Sequence, residues 1–103
     1  MALRHWTFVY AASGLPATGE IRTVESSTST TLLAGFPTAA AAMEACLGGG
    51  ALGEAFSKTQ LVELCGAFGN EHVAVLRKAR PDVPVGLVSY AGDMTSQLHA
   101  IFG

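Results

Sequence analysis

The sequence predicts an α/β fold with about four mainly parallel strands and three helices, in one domain over residues 1–103. Half of the residues are hydrophobic and only 14% are charged, a balance that permits a packed core and disfavours disorder. Short apolar and β-branched runs alternate with runs whose apolar residues have helical spacing. The resulting order is strand, strand, helix, strand, helix, strand, helix, which is typical of parallel crossovers.

Two strands are expected in the first third of the chain. The aromatic and branched residues of "LRHWTFVY" (3–10) predict the first strand, and "TTLLAGF" (30–36) predicts the second. Glycine and proline within residues 12–20 predict an exposed connection after the first strand. The polar, β-branched residues 21–30 favour an extended and solvated edge.

The first helix is expected to begin after Thr38, a good N-cap that follows a proline. Its apolar stripe consists of Ala39, Ala42, Met43, Cys46 and Leu47. The glycines at 48–50 must end or break this helix, and residues 51–58 favour a short irregular helical turn. Residues 48–53 formally match G-x-G-x-x-G, but they follow a helix and not a strand, so we expect no nucleotide site there.

The second half predicts two further strands. Residues 59–65 form the third strand, and Asn70 caps a helix over 70–80. This helix ends in three basic residues, where cations favour the negative end of the helix dipole: Arg77, Lys78 and Arg80. Residues 83–90 carry apolar side chains on both alternating faces, which predicts a strand covered by helices on both sides.

The last helix is expected to begin at Asp93 as N-cap and to continue to the end of the chain. Its side chains of helical spacing form a clean apolar stripe: Met94, Leu98, Ile101 and Phe102.

Charge and hydropathy exclude several classes of partner. The formal charge of −2 and the six scattered basic residues provide no electrostatic footprint for nucleic acid. No apolar run approaches the roughly 18 residues that span a bilayer, and the amino terminus lacks a signal-peptide core, so we expect a cytoplasmic protein without a membrane partner.

Cysteine and histidine do not indicate a metal or a disulfide. Cys46 and Cys65 lie on different predicted elements, and we expect two free thiols. The histidines His5, His72 and His99 are dispersed and lack the spacing of a zinc or iron site. We therefore expect no metal and no cofactor.

The stretch "VELCGAFGNEH" (62–72), followed by "VPVGLVSY" (83–90), resembles a family of small, functionally uncharacterised bacterial proteins that carry an E-L-C-G-x-F-G-x-E block. The matching residues are Glu63, Leu64, Cys65, Gly66, Phe68, Gly69 and Glu71. The resemblance implies an α/β fold and brings no known activity. The glycines at 48–50 and the serine- and threonine-rich residues 25–31 depart from the pattern of that family.

The same block contains the candidate site. Side chains alternate along a strand, so Glu63 and Cys65 are expected on one face, at the carboxyl end where parallel sheets bind ligands. The next residues permit close backbone approach and present helix N–H groups to an anion, so we expect them to contact the ligand: Gly66, Phe68, Gly69 and Asn70. Tyr90 is expected to line the same pocket if its strand is a neighbour.

Two of these residues have chemical alternatives. Glu63 is expected to act as a proton donor or base and Cys65 as its partner, with His72 as a third catalytic group in a thiol–imidazole pair. Cys65 could equally be a small core residue, and His72 a surface residue. Glu63 could instead be paired with Arg4, Arg22 or a backbone donor.

Three functions remain open at this point. The first is a cofactor-free enzyme of the isomerase, cyclase or lyase type that acts on a small anionic metabolite. The second is a non-catalytic small-ligand-binding module, and the third is a structural or interaction subunit. A homo-oligomer is compatible with all three, because a four-stranded sheet with few charges leaves edges and faces to cover.

Overall fold

A five-stranded sheet runs through the residues that the computed structural model describes, which are 2–48, 52–90 and 92–102. The strands are β1 (His5–Ala11), β2 (Glu20–Glu25), β3 (Thr30–Phe36), β4 (Leu61–Leu64) and β5 (Val85–Leu87). The helices are α1 (Ala39–Gly48), α2 (Gly53–Ser57), α3 (Asn70–Ala79) and α4 (Thr95–Phe102), with a 3-10 turn over Gly92–Met94.

The strand order is β2-β3-β1-β4-β5, with β1 at the centre. β1 pairs in parallel with β3 and β4, and β4 pairs in parallel with β5. The predicted α/β class is confirmed. The predicted numbers of strands and of helices are each too low by one, because Glu20–Glu25 forms a fifth strand antiparallel to β3 and Gly53–Ser57 forms a separate helix. The predicted element order therefore lacks these two elements. Its polar side chains suit an exposed edge strand, and the ladder with β3 satisfies its backbone.

One face of the sheet, here called the covered face, carries the core. Val9, Leu32 and Leu64 point to this face and are at most 3% exposed. They pack in one cluster with Met43 of α1 and Leu76 of α3. Burial of each large side chain contributes about 1.5–3 kcal/mol, so this layer supplies most of the folding free energy.

The opposite face, here called the open face, is formed by the alternate side chains of the same strands. Trp6, Phe8, Leu33 and Leu61 stand on it, and each is only half-buried. The contrast with the covered face follows from the pleat, which sends successive residues of a strand to opposite sides.

The prediction for residues 83–90 is wrong in extent and surroundings. The strand β5 spans only Val85–Leu87, lies at the edge of the sheet and is half-buried. Val83 instead belongs to the turn after α3, where its N–H donates to the carbonyl of Arg80 and its side chain enters the core. Pro84 lacks an N–H and so cannot donate to a ladder.

The predicted first helix is largely confirmed. The N–H of Ala41 donates to the hydroxyl of Thr38 at 3.1 Å, as expected of an N-cap. Ala42, Met43 and Cys46 of the stripe are buried, whereas Leu47 is exposed. The helix ends at Gly48, and the predicted helical turn after the glycines corresponds to α2. The rest of the break, residues 49–51, lies outside the described residues.

The two other predicted N-caps are wrong. Gly69 precedes α3, and its N–H donates to Nδ1 of His72 at 2.9 Å, so Asn70 is already helical. Asp93 lies in the 3-10 turn, and α4 begins at Thr95. α3 begins at Asn70 with Gly69 as its N-cap, and α4 begins two residues after Asp93, so neither predicted side chain occupies the N-cap position.

The apolar stripe of α4 is not buried within the chain. Met94 is 44% exposed and Ile101 is 73% exposed, while Leu98 is half-buried. The side chain of Phe102 lies outside the described residues. Helical spacing predicted the stripe correctly but did not show where it packs.

A buried hydroxyl pair joins β1 to the segment before β4. Thr7 is fully buried, and its hydroxyl donates to the hydroxyl of Thr59 at 2.9 Å. The Thr59 hydroxyl in turn donates to the carbonyl of Leu61 at 2.9 Å. This chain of hydrogen bonds satisfies two hydroxyls inside the core, where an unpaired one would be costly.

The pair predicts unequal mutational effects. Thr59→Val should lower the free energy of unfolding by about 2 kcal/mol, because the Thr7 hydroxyl would be left buried without an acceptor. Thr7→Val should cost only about 1 kcal/mol, since Thr59 keeps the Leu61 carbonyl. Urea unfolding measures the free energy of unfolding of each variant. The Thr7→Val, Thr59→Val double variant should be more stable than Thr59→Val alone, because no buried hydroxyl is then left without a partner. The account would be contradicted if both single variants lost the same free energy of unfolding and the double variant lost the sum of the two.

Candidate functional site

A pocket of about 750 Å³ opens at the carboxyl ends of β1 and β4. Its lining consists of Tyr10, Ala11, Cys65, Gly66, Ala67, Tyr90 and Leu98. The chain leaves β1 toward the β3 side of the sheet and leaves β4 toward the β5 side. In open α/β sheets this change of direction leaves a crevice between two strand ends, which is where ligands bind.

Tyr10 forms one wall of the pocket and has a fixed position. Its ring lies over Gly35, where a Cβ would come within 2.6 Å of the ring and the hydroxyl. Phe8 stacks on it from the same face, with ring centroids 6.1 Å apart. Gly35 is thus required by space, because any side chain there would displace the tyrosine.

Tyr90 forms part of the rim beside Gly66. Its ring lies near Gly66, where a Cβ would be 3.4 Å from Cε2 and 3.8 Å from the hydroxyl oxygen. The tyrosine is 54% exposed, so it borders the mouth of the pocket. Leu98 brings α4 to the same cavity. The pocket therefore lies between the end of the sheet and the last helix.

Cys65 places a thiol in the wall. Its N–H donates to the carbonyl of Val9 at 3.0 Å, which holds the backbone beside β1. Its Sγ accepts a hydrogen bond from the N–H of Ala67 at 3.5 Å. The side chain is half-buried, and the structure records both cysteines as free thiols. The thiol is thus held at the pocket wall by contacts of its own backbone and of the next turn.

Cys46 has a different environment. It is buried in the core under α1, and burial raises the pKa of its thiol from an ordinary value of 9.0 to about 12. The cause is the loss of water around the charged form. Of the two thiols, only Cys65 contacts the pocket.

Glu63 lies on the open face one pleat before Cys65, and it is not part of the pocket lining. Its neighbours across the sheet are Phe8 and Gly86. Among the described residues, the structure shows no ion pair or side-chain hydrogen bond for its carboxylate. The alternative of a partner within the chain is not met by Arg22, which binds Glu20 at 2.6 Å.

The start of α3 is occupied by its own side chains. Phe68 is buried in the core and packs edge-on against His72, with ring centroids 5.3 Å apart. Nδ1 of His72 accepts the N–H of Gly69, so this nitrogen is committed to the helix start. Phe68, Gly69, Asn70 and His72 are not among the lining residues of the pocket.

The charge around the site bears on the ligand. Glu71 lies in the first turn of α3, and its carboxylate sits within 2.9 Å of the place where a Cβ on Gly69 would be. This carboxylate already meets the positive end of the helix dipole. The lining residues include no arginine, lysine or histidine. The pocket as described therefore suits an uncharged, mainly apolar molecule better than an anion.

Four of the lining residues escaped sequence reasoning: Tyr10, Ala11, Ala67 and Leu98. Ala67 lies between two residues that the sequence did single out, Gly66 and Phe68. Tyr10 and Ala11 end the first strand. In α/β sheets with alternating strands and helices the first strand is often central, so the element order could have indicated that its carboxyl end borders the ligand crevice. Leu98 carried no comparable signal, because its place in the helical stripe does not reveal which surface that helix meets.

No metal-binding group emerges from the same region. Over residues 2–48, 52–90 and 92–102, no three histidine, cysteine, aspartate or glutamate side chains cluster in a way that could hold a metal ion. None of the helices described in these ranges is long and apolar enough to cross a membrane.

Comparison with known proteins places the chain in a family. The model of a family of unknown function (DUF6506) matches residues 4–103. No curated protein matches the chain. The match covers all five strands and all four helices of the described structure. The chain therefore belongs to this family of unknown function.

Proposed function

We propose that this protein binds a small, uncharged and mainly apolar molecule in the pocket between Tyr10 and Tyr90. The observation that carries the proposal is the cavity of about 750 Å³ with a mainly apolar and aromatic lining at the switch point of the sheet. Ligand sites typically measure about 300–1,000 Å³ and combine apolar walls with a few polar groups.

The lining suggests the kind of ligand. Two tyrosine rings in the lining favour a planar or cyclic molecule, since aromatic faces stack at small cost in side-chain entropy. Their hydroxyl groups can donate or accept one hydrogen bond each to polar atoms at the rim of such a molecule. Leu98 and Ala11 provide apolar contact. The ligand class is therefore a ring compound with one or two polar substituents.

A second candidate function is thiol chemistry on the same ligand. The position of the Cys65 thiol in the pocket wall favours it, because a bound molecule can contact the sulfur there. In this proposal Cys65 takes a proton from one atom of the bound molecule and returns it to another, and Glu63, on the same face one pleat away and outside the lining, relays that proton. The enzyme would be a cofactor-free isomerase, cyclase or lyase.

Filling the pocket with a large side chain should weaken binding. Ala67→Trp places a large side chain in the lining and should weaken ligand affinity by about tenfold or more, or about 1.4 kcal/mol. Ala74→Trp, on the exposed side of α3, is the matched control and should bind as the wild type does. A thermal-shift screen of uncharged ring compounds detects binding, because a ligand of the native state raises apparent stability. Equal shifts in both variants would contradict the proposal.

A pair of glycine variants tests the tyrosine wall. Gly35→Ala should displace the Tyr10 ring and weaken binding by about tenfold, whereas Gly86→Ala meets only the flexible Glu63 side chain at 3.8 Å and should leave binding unchanged. Titration of each folded variant with a hit from the screen measures the affinities. If the two alanines behave alike, Tyr10 is not part of the binding site.

The two thiols should differ in reactivity. The Cys46 thiol, with its pKa raised to about 12, stays protonated and shielded in the native state. Cys65 should be alkylated first at mildly alkaline pH, and a bound ligand should slow its reaction. Peptide mass spectrometry after brief iodoacetamide treatment reads the site of labelling. Native Cys65→Ser protein is the control and should take up no label; labelling of Cys46 at the same rate as Cys65 would contradict the assignment.

Stability should respond to the same buried thiol. A raised folded-state pKa means that the stability from the neutral Cys46 thiol is fully present below pH 9.0 and is lost as the pH rises toward about 12. Urea unfolding of wild type and Cys46→Ala at increasing pH measures this. The wild type should lose more stability than the variant over that window, and parallel losses would contradict it.

Catalysis is tested separately from binding. A set of binding ring compounds is incubated with the protein and followed by NMR for conversion. If a Glu63→Gln, Cys65→Ser double variant converts the compound as fast as the wild type does, catalysis by these two residues is ruled out. If compounds bind but none is converted, the protein is a binding module and not an enzyme for these compounds.

A further inference from the structure

The open face lacks the cover that a parallel sheet requires. Parallel strands are normally buried on both faces, whereas here the helices of the core cluster pack on the covered face. Trp6, Phe8, Leu33 and Leu61 remain half-buried on the other side, and Val24 of β2 is 54% exposed. Large apolar side chains in one contiguous patch indicate an interaction surface.

A row of side chains crosses the middle of this face. The register pairs Arg22 with Leu33, Leu33 with Phe8, Phe8 with Glu63, and Glu63 with Gly86. The row thus begins with the cation of Arg22 on β2 and continues through the apolar Leu33 and Phe8. The carboxylate of Glu63 follows on β4, one strand beyond the central strand β1. Neighbouring strands are about 4.8 Å apart, so each step of the row is about that long.

We propose that a second copy of this chain packs its own open face on this one, about a two-fold axis that runs parallel to the strands over Phe8. The axis reverses the row, so that Glu63 of the second copy lies over Leu33, within about one strand spacing (~4.8 Å) of Arg22. Arg22 itself comes over Gly86 of the second copy, where no side chain obstructs it. Each Glu63 then has a cationic partner, and each Phe8 faces its counterpart.

The charges select this axis over the alternative. A two-fold axis parallel to the face but perpendicular to the strands would place Glu63 over Glu63, and like charges across an interface are strongly unfavourable. Arg22 holds Glu20 within its own chain but is exposed, and Glu63 has no partner among the described side chains. The pairing across the two-fold axis therefore uses the carboxylate that the isolated chain leaves unpaired.

The area of the face makes this a small interface. The strands hold 7, 6, 7, 4 and 3 residues, which at about 4.8 Å between strands and about 3.3 Å per residue give a flat footprint of roughly 430 Å². Specific interfaces bury about 600 Å² or more from each partner. The footprint alone is below that area, so the dimer also needs the area of the side chains that stand above it and of α4, whose Leu98 lines the adjacent pocket and whose Ile101 is exposed.

Analytical ultracentrifugation of the full chain tests the proposal. Wild type should sediment as a dimer of twice 10.6 kDa over a range of concentrations. Phe8→Glu places a charge at the centre of the face and should raise the dimer dissociation constant at least about tenfold. Val75→Glu, on the exposed side of α3, is the matched control and should stay dimeric. Circular dichroism checks that each variant is folded.

A charge swap keeps the test decisive if Phe8→Glu does not fold. In a Glu20→Gln background, which removes the partner of Arg22 within the chain, Arg22→Glu and Glu63→Arg should each weaken the dimer, and together they should restore it. A monomeric wild type would overturn the proposal and leave the face to another protein. A dimer that Phe8→Glu leaves intact would overturn it as well, and so would a double variant no tighter than the single ones.

Discussion

The parallel pairing of β1 with both β3 and β4 is the constraint on which the rest of the structure depends. It places the first strand at the centre of the sheet, although that strand comes first in the chain. The alternation along β1 then divides the molecule: Thr7 and Val9 enter the core, while Phe8 and Tyr10 stand on the open face. One strand therefore supplies the centre of the core, one wall of the pocket and the middle of the uncovered surface.

The strand ends explain why the pocket forms where it does. β1 and β4 end side by side, and the chain continues from them in opposite directions across the sheet. The N–H of Cys65 still donates to Val9, so the turn after β4 begins in a fixed position beside β1. Small residues follow in that turn, and Tyr10 and Tyr90 line the remaining space. The strand order thus creates the cavity, and the side chains that line it determine which molecules it can bind.

Sequence reasoning reached the elements whose signal is local. The mainly apolar run of β3, the Thr38 cap and the glycine that ends α1 all act through neighbouring residues, and the structure places them as expected. It did not reach properties that depend on distant partners. Polar β2 is a strand because β3 offers it a ladder, and the apolar residues 83–90 form only a short edge strand because the sheet has helices mainly on one face. Spacing put Glu63 and Cys65 on one face, but only the neighbouring strands show that the thiol meets the pocket and the carboxylate meets Phe8.

The most direct measurement of the central claim uses the two tyrosines, which are the only ones in the chain. With tyrosine rings and glycines isotopically labelled, NMR should show a nuclear Overhauser effect between the Tyr10 ring and the α-protons of Gly35. This contact requires β1 to lie beside β3 in the parallel register. A bound ring compound should transfer saturation to both tyrosine signals at once. Absence of the Tyr10–Gly35 contact, together with a ligand that reaches neither ring, would contradict the account.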